Sequence, residues 1–240
     1  MKKGKFVVIE GLDGSGKKTQ LDLLVKYCQK HKIKITTLDF PQYYKTFFGK
    51  LVGRYLKGEF GKMEQGSPYL ASLLYAGDRW QAKEKMEKAL KEGRLLLANR
   101  YTFSNMAFMG AKIKSKIARD RFIKWLMKLE WQVYGIPEPD LVIFLSLPPE
   151  IGQRLVDKKG WRKYAGNKNR RDIHERNLAF LKKVTRVYLD LTQRFDNWVK
   201  IDCVDKKGNL LSIKEIHQKI LKVLRKGKFC NDRSFTSTIC

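Results

Sequence analysis

Apolar residues gather in five short, nearly continuous runs: KFVVIE (5–10), KITTLDF (34–40), RLLLAN (94–99), DLVIFLSL (140–147) and WVKID (198–202). Each has the length of a strand, and continuous Val, Ile and Leu rather than strict alternation marks strands buried on both faces. Between the runs, apolar positions recur at helical spacing, as at Leu21, Leu24, Val25 and Cys28. The pattern predicts an α/β fold in which a five-stranded parallel sheet carries helices on both faces. In such sheets ligands collect at the carboxyl ends of the strands, so chemistry is expected in the segments that follow them.

No internal repeat or linker divides the chain, and 240 residues suit one sizeable core. Two stretches fall outside the periodic pattern. DKKGWRKYAGNKNRR (157–171) carries seven basic residues and one acid, with no apolar stripe, and reads as a mobile basic flap. GKFCNDRSFTSTIC (227–240) is polar and aperiodic and reads as a frayed tail. Composition adds one strong bias: 51 Lys and Arg against 24 Asp and Glu give a formal charge of +27, which favours phosphorylated or polyanionic partners. A solvated lysine-rich surface accounts for that charge as well as non-specific nucleic-acid affinity does. The four cysteines lack metal-binding spacing, and no apolar run approaches the ~20 residues of a membrane span, so a reduced, cytoplasmic protein is expected.

The first strand runs directly into GLDGSGKKTQ (11–20) and then into a predicted helix, the context of a phosphate-binding loop, G-x-x-x-x-G-K-[ST]. Gly11, Asp13, Gly14, Ser15 and Gly16 bring backbone N–H groups around phosphate oxygens, and Lys17 reaches the β- and γ-phosphates. Thr19 follows within the same helix start. The position that normally offers a magnesium-binding hydroxyl is Lys18.

The loop identifies a nucleoside triphosphate donor and leaves the acceptor open. LLYAGDRWQ (73–81), NRYTFSNMAFMGAK (99–112), GIPEPDLVIFL (135–145) and the flap followed by RDIHE (171–175) occur in this order. With FVVIEGLDGSGKKTQ and LDFP (38–41), they resemble the thymidylate kinase family from about residue 5 to residue 202. The resemblance implies a P-loop kinase domain over 1–226 with a lid at about 157–171, and transfer of the ATP γ-phosphoryl group to dTMP. It implies magnesium arriving with ATP, and a homodimer. Residue by residue, it puts Tyr75 against the base, Arg79 on the base edge and Arg100 on the monophosphate. Phe40, Ser104, Asn105 and Phe108 fall in the dTMP pocket. Asp13 stands near the sugar hydroxyl or the metal, while Arg162, Arg170 or Arg171 acts from the lid. Gly14 matches members that carry their arginines in the lid and not in the loop.

Departures accompany the matches. The acid-arginine-aromatic signature reads Asn99-Arg100-Tyr101, and Gln42 and Tyr43 stand where an arginine often follows the F-P pair. Lys18 and Asn99 together move the local charge by +2. The expectation is that Lys18 takes over part of the neutralisation, with magnesium held through water and Asp13. A kinase for another deoxynucleotide or nucleoside, and a weakly active P-loop protein that binds nucleic acid, stay open as alternatives.

Overall fold

The computed structural model describes residues 3–61, 66–158, 177–227 and Phe229. Five strands form one parallel sheet: β1 (Lys5–Gly11), β2 (Ile35–Asp39), β3 (Leu95–Asn99), β4 (Leu141–Ser146) and β5 (Trp198–Asp202). The spatial order is β2-β3-β1-β4-β5, so the predicted strands are present with boundaries within one residue of those read from the runs. Around the sheet lie α1 (Lys17–Lys30), α2 (Phe47–Lys57), α3 (Pro68–Trp80), α4 (Lys83–Lys91) and α5 (Thr102–Gly110). They are followed by α6 (Lys116–Met127), a π-helical segment (Lys128–Val133), α7 (Pro149–Asp157), α8 (Leu178–Arg194) and α9 (Ile213–Lys226). Arg162, Arg170 and Arg171, most of the expected flap and the tail beyond Phe229 lie outside the described residues.

The period of two along β1 sorts its side chains between two cores. Phe6 and Val8 join one cluster with Tyr101, Phe103, Phe144 and Tyr188, under α3, α5 and α8. Val7 and Ile9 join the other, against Leu21, Leu24 and Cys28 of α1 and Ile216, Ile220 and Leu224 of α9. Both faces are thus covered, which is why the runs of β1, β3 and β4 are apolar nearly throughout, whereas the edge strands β2 and β5 are only partly buried and keep polar residues.

Strand registry brings the functional edge together. Ile9 pairs with Asn99, Asn99 with Asp39, and Gly11 with Leu145, so the strands end at one level. The chain leaves β1 toward β3 and β2 on one side and β4 and β5 on the other. That reversal opens a crevice at the carboxyl end of β1, where the phosphate-binding loop begins.

Candidate active site

The loop between β1 and α1 is fixed by backbone geometry. Gly14 has φ 83° and Gly16 φ 85°, left-handed values at which glycine carries no steric cost. At Gly14 space is short as well: a Cβ would stand 2.3 Å from the carbonyl oxygen of Gly152 in α7. An arginine at this position is therefore excluded without moving α7. Lys17, the first residue of α1, is 5% exposed, and its Nζ donates to the Leu12 carbonyl at 2.8 Å. The ammonium is folded back over the loop it serves. Gly11 is buried at the loop's start, Thr19 is half-buried on α1, and Ser15 is buried with its Oγ lacking a hydrogen-bond partner. Lys18 points outward: its Nζ pairs with Asp22 one turn along α1 at 2.5 Å, and its side chain is 61% exposed.

Arg100 follows β3 with φ 63°, a left-handed conformation that is costly for a side chain of its size. Its N–H donates to the Ile9 carbonyl at 3.0 Å, tying the turn to β1. The guanidinium is held at two further points, by Asp13 Oδ2 at 2.8 Å and Ser104 Oγ at 2.9 Å, and it lies 5.3 Å from the centre of the Phe108 ring. Burial opposes its charge, yet Asp13, Tyr188 and Glu10 more than offset that penalty, so its pKa lies well above the usual arginine value. Beneath it, fully buried Glu10 accepts from the backbone N–H groups of Tyr101 and Ser104 and from the hydroxyls of Ser104 and Tyr188. One carboxylate at the end of β1 therefore organises the start of α5.

A cleft of about 630 Å³ connects this edge to a second cluster. Its far end is formed by Tyr75, Arg79, Asn105 and Phe108, with Phe40 and Leu56 behind. Arg79 is almost fully buried and forms a two-point ion pair with Glu130 of the π-helical segment, Nε to Oε2 at 2.5 Å and Nη2 to Oε1 at 2.6 Å. Asn105 donates to the Ser72 carbonyl at 3.2 Å and accepts from the Ser72 hydroxyl, so α5 is bolted to α3. The side wall is the loop after β2. There Asp78 of α3 accepts from Gln42 N–H at 2.8 Å and from the hydroxyl of Thr46, the residue that caps α2.

The cleft thus has a glycine loop with buried Lys17 at one end and Tyr75 with buried Arg79 at the other. The comparisons with known proteins agree with the resemblance read from the sequence. The family model described as thymidylate kinase matches residues 9–230. The chain is 30% identical to a thymidylate kinase of Plasmodium falciparum over 227 residues, covering 95% of this chain and 92% of that protein. It is also 30% identical to a thymidylate kinase of Danio rerio over 220 residues, 91% of this chain and 89% of that one. A solved thymidylate kinase structure from Candida albicans superposes with a TM-score of 0.70 at 25% identity, covering 95% of this chain and 93% of that one. The chain belongs to the thymidylate kinase family.

Within this chain, most residues singled out in the sequence line the cleft: Asp13, Lys17 and Lys18 at one end, Arg100 and Ser104 midway, Tyr75 and Arg79 at the other. Ser104 turns its hydroxyl to Glu10 and Arg100, at 2.6 and 2.9 Å. Four participants had no expected role: Glu10, Asp78, Glu130 and Tyr188. Glu10 carried a readable signal, an acid closing an otherwise apolar buried strand. Asp78 was adjacent to Arg79 in GDRW. Glu130 and Tyr188 act across the fold, and nothing in their local sequence marks them. The departure at Asn99 has a structural counterpart, for its amide donates to Asp39 Oδ1 at 2.7 Å. A carboxylate at position 99 would face a second carboxylate at that distance.

Proposed function

We propose that this cleft carries out the family reaction, ATP-dependent phosphorylation of dTMP to dTDP, with the two phosphate chains meeting between Lys17 and Arg100 and the base lying between Tyr75 and Arg79. The observation that carries the reading is the polarity of the cleft: phosphate binders at one end and a stacking ring with a buried donor at the other, in one cavity of nucleotide size. The acceptor is a phosphate oxygen already anionic at neutral pH, so the reaction needs alignment and charge neutralisation and no strong base. Lys17 meets the β- and γ-phosphates as charge develops on the leaving oxygen. Arg100, steered by Asp13 and Ser104, grips the monophosphate with its remaining N–H groups. Arg162, Arg170 and Arg171, the lid arginines that the resemblance implies, lie outside the described residues; alanine at the one that acts would lower kcat more than it raises KM.

The donors at this edge suit magnesium delivered with ATP. Among the described residues no group of three or more His, Cys, Asp or Glu side chains could hold a metal, and the carboxylates lining the cleft here are Asp13 and Asp39. A cation with few protein ligands keeps its waters and rides on the phosphates, so Asp13 would hold it through water. Bound there, magnesium would neutralise phosphate oxygens.

Homodimerisation is supported by α3, which presents Leu70 at 67% exposure and Trp80 at 50%. Light scattering on the wild type and Leu70→Glu tests it, with dissociation of the variant expected. We place the enzyme in the cytoplasm, where the buried free thiols Cys28 and Cys203 stay reduced. No helix among the described residues is long and apolar enough to cross a membrane. The deciding experiment measures ADP release with dTMP, dUMP, dGMP, dCMP and thymidine. Highest kcat/KM with dTMP is expected; a clear preference for another acceptor would overturn the assignment of the base end.

A further inference from the structure

The base end of the cleft is built on a buried ion pair, of which Arg79 lines the cleft. Arg79 and Glu130 have side chains 3% and 0% exposed, and the fork between them uses Nε and Nη2. Thr102, at the start of α5, donates its hydroxyl to Glu130 Oε2 at 2.8 Å, which fixes the carboxylate from the other side. The Tyr101 ring lies 5.9 Å from the guanidinium. Three separate elements, α3, α5 and the π-helical segment, converge on one ion pair. A π-helical turn is wider than an α-helical one and is found disproportionately at functional sites; here it carries Glu130 into the interior.

The chemistry of the pair follows from the donor count. A guanidinium has five N–H groups and accepts nothing. With Nε and Nη2 spent on Glu130, the remaining nitrogen, Nη1, makes no hydrogen bond to another described residue, and Arg79 lines the cleft. Burial opposes the charged form of Arg79, and the Glu130 carboxylate outweighs it, so the group stays a cation whose field is cancelled next to it. What remains for a ligand is a donor of fixed direction and little net charge.

We propose that Glu130 is a specificity-determining positioning residue: by locking and neutralising Arg79, it makes the base end accept a ring that presents a carbonyl oxygen and reject one that presents an amino group. The inference rests on the reading of the Tyr75–Arg79 end as the base end. A carbonyl such as that of thymine or uracil completes the unpaired donor. The amino group of cytosine sets donor against donor and leaves both unsatisfied in a dry site, the arrangement that gives enzymes their largest discrimination. The same neutralisation keeps phosphate from entering backwards. A buried arginine without a counter-charge would be an anion site, competing with Arg100 for the phosphate of the substrate.

Glu130→Gln tests this, because glutamine keeps the shape and one acceptor while removing the charge and half of the fork. The variant should raise KM for dTMP about tenfold with kcat within about threefold, and lower the ratio of kcat/KM for dTMP over dCMP by about tenfold. Inorganic sulfate should become a stronger competitive inhibitor against dTMP, a change that loosened packing would not produce. Thr102→Val, which removes one of the bonds holding Glu130, should move all three readings the same way by a smaller factor, and it stands in if Glu130→Gln does not fold. A folded variant with unchanged KM, selectivity ratio and sulfate inhibition overturns the proposal alone. A wild-type chain that ignores dTMP overturns the base-end reading, and this proposal with it.

Discussion

The two ends of the cleft are held by opposite means. At the phosphate end, a single contiguous loop turns its backbone inward over buried Lys17, and the ion pair beside it keeps a path to solvent: the Arg100 side chain is 13% exposed and that of its partner Asp13 24%. At the base end, the Arg79–Glu130 pair spans 51 residues of chain and is closed off from water. The difference fits the ligands proposed for the two ends. A triphosphate brings several negative charges, so cations that are incompletely neutralised gain by meeting it. A base brings none, and an unneutralised buried cation there would cost several kcal/mol. Charge is thus left available at one end and cancelled at the other.

Breaking the phosphate end should have the largest consequences. Lys17→Met removes the ammonium folded over the loop, and kcat should fall by about two to three orders of magnitude, the usual loss when a preorganised donor to developing charge is deleted. Thermal stability should hardly change, which unfolding by circular dichroism would check; a kcat within tenfold of wild type would show that the loop amides suffice. Gly14→Ala attacks the same loop through its backbone. A Cβ at φ 83° and 2.3 Å from the Gly152 oxygen combines left-handed strain with overlap, at a cost of about 2–4 kcal/mol. A drop of several degrees in melting temperature, with a raised KM for ATP and an unchanged KM for dTMP, is the expected result.

The same contrast explains what the sequence disclosed. The central strands, buried on both faces, read as unbroken apolar runs and the edge strands as broken ones, and three glycines with a lysine within seven positions are a local signal, so the sheet and the loop were legible. Tyr75, Arg79 and Arg100 became legible only through resemblance to a family. Glu130 was not legible by either route, because its role depends on two elements crossing it in space. Asn99 read as a loss of charge; in the structure Asp39 supplies a carboxylate beside it, from the neighbouring strand.

The wall between the two ends offers an intermediate test. Asp78 is 1% exposed, and burial raises its pKa above the ordinary value despite opposing bonds from Thr46 and Gln42 and the nearby charge of Arg79. With a folded pKa above the unfolded one, its contribution to stability is fully present below about 3.8 and is lost as pH rises through the folded value. Asp78→Asn lacks that titration, so the melting temperature of the wild type minus that of the variant should shrink as pH rises across this window. Asparagine also turns one donor toward Gln42 or Thr46 and loosens the loop after β2. KM for dTMP should rise about fivefold while KM for ATP stays within twofold. Equal changes for both substrates would mean that Asp78 supports the whole cleft rather than its wall.

The smallest effect is expected at Lys18, adjacent to the residue with the largest. Its charge looked like a replacement for the hydroxyl that usually meets magnesium, and the structure gives that charge a partner in Asp22. An exposed i,i+4 pair is worth only about 0.3–0.5 kcal/mol, too little to restrain a long side chain if a triphosphate draws it inward. The pair limits the size of any role: an ammonium that starts 61% exposed acts through a screened field. Lys18→Thr should change kcat/KM by less than about threefold, and the change should vanish at high salt. The magnesium concentration for half-maximal rate should fall slightly, since a hydroxyl returns where the cation was. Converting Asn99 to Asp in the same chain should not add to this gain, because the new carboxylate would meet Asp39 across 2.7 Å and repel it. Only with Asp39→Asn alongside should Asn99→Asp tighten magnesium dependence further. A large, salt-resistant loss in Lys18→Thr alone would instead put the Lys18 ammonium on the phosphates.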